Sequence, residues 1–315
     1  MTAFGSRLTV ATLTHRARRF LDGVGSHWQS ESSVVAFACF FVIHYLCGMK
    51  TVEKFVCGKS PDASLCEDGV VVTDAFAAVV DGSTSKVAGR HAGRLAMQTV
   101  VRALEKVPAS ATLSETLTLL TRELASVSDP RGRSDAAFRP TCSAVIFSRR
   151  RREVWLVGDC QCRFGGKTHR VAKAVDEVLT EIRCCVLSHL LAQGHSAESL
   201  LRRDLGREVI SDFLRLQTNF QNVTAAFNPF RYVVLDGTPV VPSAVTVLRV
   251  PAEEHSLVLA SDGYPELFDS LAPTEQRLQE LLRLDPLCIS SNPATKGLRP
   301  GNLSFDDRAF LRLEI

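Results

Sequence analysis

Neither sign of charge prevails in this 315-residue chain, where 37 basic residues stand against 34 acidic ones for a net charge of +3. That balance offers a polyanion little to hold, so nucleic acid is not an expected partner. Long apolar runs are scarce too. The most apolar stretch, residues 34 to 49, is interrupted by His44 and falls short of the roughly 20 residues that cross a bilayer as a helix. The ten Cys are scattered without the spacing of a disulfide framework, and neither Cys160/Cys162 nor Cys184/Cys185 completes a four-ligand zinc pattern. Free thiols in a reducing, cytoplasmic compartment are the expectation. The chain has no internal repeat and no low-complexity tract.

Two familiar phosphate motifs are incomplete. Gly58-Lys59-Ser60 ends like a nucleotide-cradling loop, but that loop needs a Gly five residues earlier and Glu53 stands there. Leu235-Asp236-Gly237-Thr238 ends like the Asp-x-Asp-Gly-Thr element of haloacid-dehalogenase-like phosphatases. Val234 fills the nucleophile position, so Asp236-Gly237 is read as a hairpin turn.

At 45% hydrophobic and 23% charged, the composition is that of a globular protein with material for one large domain or two small ones. Residues 1–48 stand apart. Arg7, His15, Arg16, Arg18 and Arg19 precede the apolar run 34–49, as in a basic-then-apolar leader that associates with or tethers to a membrane. The alternative is an appended extension, with the functional domain over 49–315. Both readings stand.

From Met49 onward the patterning alternates between strands and helices. Strands are predicted over 51–57, 70–73, 76–80, 142–147, 154–157, 233–235, 246–250, 256–260 and 309–313. Helices are predicted over 87–107, over 114–126 with Ser114 as cap, and over 265–284. Within 173–218 two more are expected, one burying Leu179, Ile182, Val186, Leu190 and Leu191, the other running through Leu200, Val209, Ile210, Phe213 and Leu214. They would pack across a sheet or form a flap. Arg149 to Arg152 is read as a solvated hairpin tip.

The chemistry is concentrated at strand ends. Asp81-Gly82 follows the strand 76–80, Asp262-Gly263 follows 256–260, and Asp306-Asp307 precedes 309–313. An acid at the end of a strand, followed by Gly, lets carboxylate and backbone oxygens face one ion. Three such acids, far apart in sequence and alike in context, point to an oxygen-rich site for a hard cation, and no His/Cys cluster competes for zinc.

Taken in order, Glu67-Asp68, Val79-Val80-Asp81-Gly82, Val157-Gly158-Asp159, Leu259-Ala260-Ser261-Asp262-Gly263 and Ser304-Phe305-Asp306-Asp307 resemble the motifs of the type 2C metal-dependent protein phosphatases, over residues 51 to 315. The resemblance implies an α+β fold, an antiparallel β-sandwich flanked by helices in four α-β-β-α layers, with two Mg²⁺ or Mn²⁺ ions at one end. It implies that Asp81 bridges the ions, Gly82 offers its carbonyl, Asp262 and Asp306 complete the first ion, and Glu67 holds the second. Asp68 would support water from behind. Asp159, with Asp262, would bind a third, weaker ion.

The implied reaction is direct attack of a metal-bridging hydroxide on a phosphoserine or phosphothreonine ester, with a phosphoprotein as substrate and the enzyme a monomer. Two departures stand out. Ser83 replaces the His that often follows Asp-Gly, and Ala63 replaces the Arg that often clamps phosphate, leaving Lys59 and Lys86 as candidates for that role, with Arg90 beside them. They keep two alternatives open: a pseudophosphatase with the same fold and little turnover, and a phosphatase of small metabolites.

Overall fold

Alternating burial along the strands organises the structure, a computed structural model that describes residues 49–85, 87, 91–224 and 227–315. The predictions for residues 1–48, for the apolar run up to 48, and for Lys86 and Arg90 lie outside the described residues. Residues Thr51–Ile315 form one unit. In chain order its strands are β1 (Lys50–Cys57), β2 (Asp68–Val72), β3 (Phe76–Gly82), β4 (Cys142–Ser148), β5 (Glu153–Val157), β6 (Gln161–Phe164), β7 (Lys167–Arg170), β8 (Thr246–Arg249), β9 (Ser256–Ala260) and β10 (Arg308–Glu314). The helices are α1 (Ala92–Leu104), α2 (Leu113–Val127), α3 (Ala174–Ala192), α4 (Ala197–Arg202), α5 (Leu205–Val209), α6 (Ser211–Leu216) and α7 (Leu271–Leu284).

Two five-stranded sheets result, in the orders β1-β10-β9-β6-β7 and β2-β3-β4-β5-β8. The period of two sends successive side chains of the second sheet to opposite faces. Phe76, Ala78 and Val80 of β3, with Ala144 and Ile146 of β4 and Trp155 of β5, pack under α1 and α2. The intervening residues Ala77, Val79, Val145, Phe147 and Leu156 are equally buried on the other face, towards the first sheet. In that sheet Val258, Ala260 and Phe310 pack against Leu278 and Leu282 of α7. Helices, sheet, sheet and helix form the four layers expected from the resemblance.

Several local expectations change. Helix α2 is capped by Thr112, not Ser114: the Thr112 side chain accepts from the Glu115 amide while Glu115 accepts from the Thr112 amide. Helix α1 starts at Ala92 and α7 at Leu271. Pro273 explains the latter, since a residue without an amide hydrogen fits a first turn but would break a helix begun at Pro265.

The apolar face of α3 is rotated from the expected one. Val175, Leu179, Arg183 and Leu187 are buried, while Ile182 is exposed. The second expected helix is the three short ones α4 to α6, with Val209 and Phe213 exposed. This segment packs on itself and on residues 286–298, with Leu187 and Leu200 meeting Leu287, which fits the flap and not the layer across a sheet. The strand expected over 233–235 is reduced to a bridge between Leu235 and Cys142.

Asp236 is no hairpin turn. It is buried, ion-paired to Arg139 at 3.0 Å, and accepts from Asn222 Nδ2 and the Thr238 amide, each at 2.9 Å. The Arg149–Arg152 segment is the β4–β5 turn, where Arg151 and Arg152 donate to backbone carbonyls of Ser110, Ala111, Pro251 and Glu254.

Candidate metal centre

The sandwich interior runs out of apolar residues at one end, and acids take over. On β2 and β3 the inward positions that continue Val70 and Val79 are Asp68 and Asp81, and the register places these two directly opposite each other. Like charges across an antiparallel pair are destabilising unless something of opposite charge lies between them. On the other side Asp81 faces Ser143 of β4. The chain crosses from the second sheet to the first at Gly158-Asp159-Cys160. Gly158 turns there with φ 92°, a left-handed conformation, and a side chain on it would collide with Ser143. Ser143 donates instead to Asp159 Oδ1 at 2.6 Å.

Asp262, just past β9, closes the group. One carboxylate oxygen from each of Asp81, Asp159 and Asp262 lies within 4.8 Å of the others, the one such group among the described residues. Gly82 lets helix α1 approach: a β-carbon on it would overlap the Gly93 carbonyl, and one on Gly93 would stand 2.7 Å from Glu67 Oε1. The Gly82 amide donates to the Glu67 carbonyl at 3.0 Å, which ties Glu67 to the end of β3.

A second cluster adjoins the first, built around Lys59. Its ammonium donates to Thr84 Oγ1 at 3.1 Å and to Asp307 Oδ2 at 3.0 Å, and lies 3.4 Å from Glu67 Oε2 and 3.6 Å from Asp306 Oδ1. Thr84 also donates to Glu67 at 2.9 Å. Asp307 accepts from the amides of Lys59 and Glu67, clamping the two loops together. Asp306 is further paired with Lys296, and Asp159 with Lys173 at 2.6 Å. Both oxygens of Asp68 are buried with no hydrogen-bond partner. The Ser261 hydroxyl, which accepts from the Ala309 amide, favours its charged form without meeting hydrogen-bond geometry.

The electrostatics follow. Burial pushes the Asp68 carboxyl well above the ordinary Asp value, and Asp306, Asp307 and Asp262 add to it. Asp81 moves the same way, through burial and then the fields of Asp68, Asp306 and Asp159. Asp262 is exposed at the rim but enclosed on its other sides; that partial desolvation, with Asp81 and Asp159, raises it too. For Asp159 burial works upward, but Lys173 and Ser143 outweigh it and hold the group low. Lys296 and Lys59 do the same for Asp306. Against the carboxylates of Glu67, Asp68, Asp81, Asp159, Asp262, Asp306 and Asp307 stand the ammoniums of Lys59, Lys173 and Lys296. Full ionisation leaves about four uncompensated negative charges, the complement of two divalent cations.

The residues therefore fit hard divalent ions: all donors are oxygens, and a buried carboxylate has no other partner. Asp81, Asp159 and Asp262 come together, where the sequence had put Asp306 rather than Asp159 with Asp81 and Asp262 at the first ion, and Asp68 lies opposite Asp81 in the strand register. Glu67 and Asp306 lie in the adjoining cluster, held by lysines. Asp307, Thr84, Ser143, Lys173 and Lys296 were not assigned these contacts from the sequence. Only the acidic pair at 306–307 carried a signal; the lysines reach the site from irregular segments with no motif. Ser83 donates its amide to the Thr141 carbonyl, and His91 is exposed ahead of α1.

In fold the chain is similar to type 2C serine/threonine phosphatases. Among solved structures, PstP/Ppp of Mycobacterium tuberculosis is 16% identical, with 85% of this chain and 99% of that one covered at a TM-score of 0.43. Stp1 of Staphylococcus aureus is 15% identical, with 85% and 96% covered at 0.43. The catalytic domain of PstP in complex with two manganese ions is 16% identical, with 85% and 98% covered at 0.42. No protein-family profile and no curated protein matches.

Proposed function

We propose that this chain is a Mg²⁺- or Mn²⁺-dependent phosphomonoesterase acting on phosphoserine or phosphothreonine in a protein substrate. The observation that carries the reading is the Asp68–Asp81 pair, juxtaposed across two strands, flanked by Asp159 and Asp262, with both Asp68 oxygens unpartnered. Glu67, Asp81, Asp262, Asp306 and the Gly82 carbonyl are the donors for two ions, and Asp159 with Asp262 for a third. When bound, such ions neutralise phosphoryl oxygens and make water acidic enough to ionise near neutral pH.

The chain's own groups do the rest. Asp68, behind Asp81, accepts a proton or a hydrogen bond from attacking water. Lys59 keeps its proton: burial would lower its pKa, but Asp306 and Asp307 more than reverse that. It is thus a fixed positive charge for a phosphoryl oxygen and a poor general acid. Thr84, with its proton committed to Glu67, is the hydroxyl nearest that charge. A monomer in a reducing, cytoplasmic compartment belongs to the same proposal, in keeping with the five buried, unpaired thiols among the described residues.

Mn²⁺-dependent hydrolysis of p-nitrophenyl phosphate and of a phosphopeptide tests the reading. Asp81→Asn and Asp262→Asn should each abolish it, and turnover that survives both substitutions refutes it. One observation favours a second reading, a phosphoprotein-binding domain with little turnover: lysines already sit on Glu67, Asp159 and Asp306. Calorimetric Mn²⁺ binding with no phosphate release from any phosphopeptide would select it.

A further inference from the structure

A cleft of about 100 Å³ opens beside the acidic centre, lined by Lys59, Lys296, Arg207 and Arg299 together with Thr84 and Phe305. Four cations converge on space for about three water molecules, since each occupies roughly 30 Å³. That is room for a carboxylate or a phosphate group. It is far below the roughly 300 Å³ at which sites for drug-sized ligands begin.

The cations are not equivalent. Lys59 and Lys296 are spoken for by Asp306, Asp307 and Glu67. Arg207 and Arg299 have no carboxylate within ion-pairing distance among the described residues. Arg207 is half-buried on α5, and its guanidinium is anchored by one bond, Nη1 to the Thr295 carbonyl at 2.6 Å. Its pKa is lowered, first by burial; Asp204 and Asp306 work upward, while Arg299, which lines the same cleft, and Arg183 work downward.

The wall is rigidly built. Arg183, fully buried on α3, donates to Asp204 at 2.8 Å and to the carbonyls of Leu287, Cys288 and Ala294, fixing the loop that carries Lys296 to the segment that carries Arg207. Asp285 gathers the amides of Ile289, Ser290, Ser291 and Asn292 to hold the same loop. Two unpaired guanidiniums on a fixed wall, next to a site for one phosphoryl group, have the planar fork geometry that a second anion would satisfy.

Resting on the phosphatase reading, we infer that this cleft selects phosphopeptides that carry a second anion, a carboxylate or a second phosphate, within a residue or two of the scissile phosphate. The scissile group goes to the acidic centre and Lys59, and the neighbouring anion goes to Arg207 and Arg299.

Three fluorescent phosphoserine peptides test this, with Ala, Asp or a second phosphoserine at the flanking positions. Anisotropy gives their affinities for the full chain with Mn²⁺ at low and high salt, and phosphate release gives kcat/KM. The anion-flanked peptides should bind roughly ten-fold tighter than the Ala peptide, with the gap shrinking as salt rises. Arg299→Gln and Arg207→Gln should each close most of that gap. Arg299 is exposed and holds no loop, so its variant keeps the test open if Arg207→Gln unfolds.

A preference for the second phosphate alone narrows the class and still supports the inference. Equal binding of all three peptides, or a gap that survives both substitutions, overturns it. So does competition by a small bisphosphate as strong as by the whole anion-flanked peptide, which would assign the cleft to a metabolite. Failure of the phosphatase reading looks different: the binding gap persists, but no peptide releases phosphate.

Discussion

Asp68 and Asp81 face each other on neighbouring strands, and both are pushed above the ordinary Asp value of 3.8, first by burial and then by neighbouring carboxylates: Asp306, Asp307 and Asp262 act on Asp68, and Asp68, Asp306 and Asp159 on Asp81. In the metal-free protein each binds a proton more tightly folded than unfolded, so their linkage runs opposite to that of a salt-bridged acid. Stability from this pair is full below the unfolded value and falls as pH rises towards the folded value. Asp159 and Asp306, held low by lysines, have the reverse sign, and their contribution is lost only as the solution turns acid.

As pH rises above the unfolded Asp value the raised pair governs the slope. The melting temperature in EDTA should therefore decline over that range, and Mn²⁺ should flatten the decline. A metal-free melting temperature that climbs over the same range would contradict the assignment. Arg183 belongs to this scale as well. Its removal takes the ion-pair partner from Asp204 and the guanidinium donor from the Leu287 and Ala294 carbonyls, so Arg183→Ala should cost about 3–5 kcal/mol in a urea titration.

Among the elements, the junction between β3 and α1 is the most constrained. Gly82 and Gly93 let a strand end and a helix start touch backbone to backbone, with Glu67 wedged beside them. Gly82→Ala has no flexible side chain to displace and should both destabilise the fold and weaken Mn²⁺ binding measured by calorimetry. The cap of α2 gives a contrasting case far from the acids. Thr112→Ala removes the side-chain half of a capping box and should cost about 1 kcal/mol while leaving Mn²⁺ affinity as it was.

For the whole molecule, the excess of negative charge at one end of the sandwich ties stability to cations. Saturating Mn²⁺ at about a hundred times its dissociation constant should add about 2.7 kcal/mol, a rise of roughly 5–10 °C in a domain of this size. The thiols report on the same unit. Burial pushes Cys66 and Cys162 up to about 12, and Cys142 and Cys160 also lie well above their usual value. Among the thiols of the described residues, Cys185, exposed on α3, should react first with a thiol reagent, and the five buried ones only on unfolding.

The strand pattern was largely open to reading from residue types, because runs such as Leu257–Ala260 and Ala144–Phe147 are uniformly apolar and bounded by turns. So was the gathering of Asp81 and Asp262, because acids at the abrupt ends of apolar strands, each followed by Gly and alike in context, sit where carboxylates can converge. The α3 face was misread because an apolar pattern has no place for Arg183, whose charge is met by carbonyls more than a hundred residues away. Asp236 looked like a turn for the same reason, since its partners Arg139 and Asn222 come from other segments.

Local sequence by itself determined eight of the ten strands, β6 and β7 excepted, and placed acids at the ends of three of them. Tertiary structure alone decided that lysines at 59, 173 and 296 share the acids, and that Arg207 and Arg299 line one cleft. Such pairings depend on distances across the folded chain, and charge acts through space without regard to sequence separation.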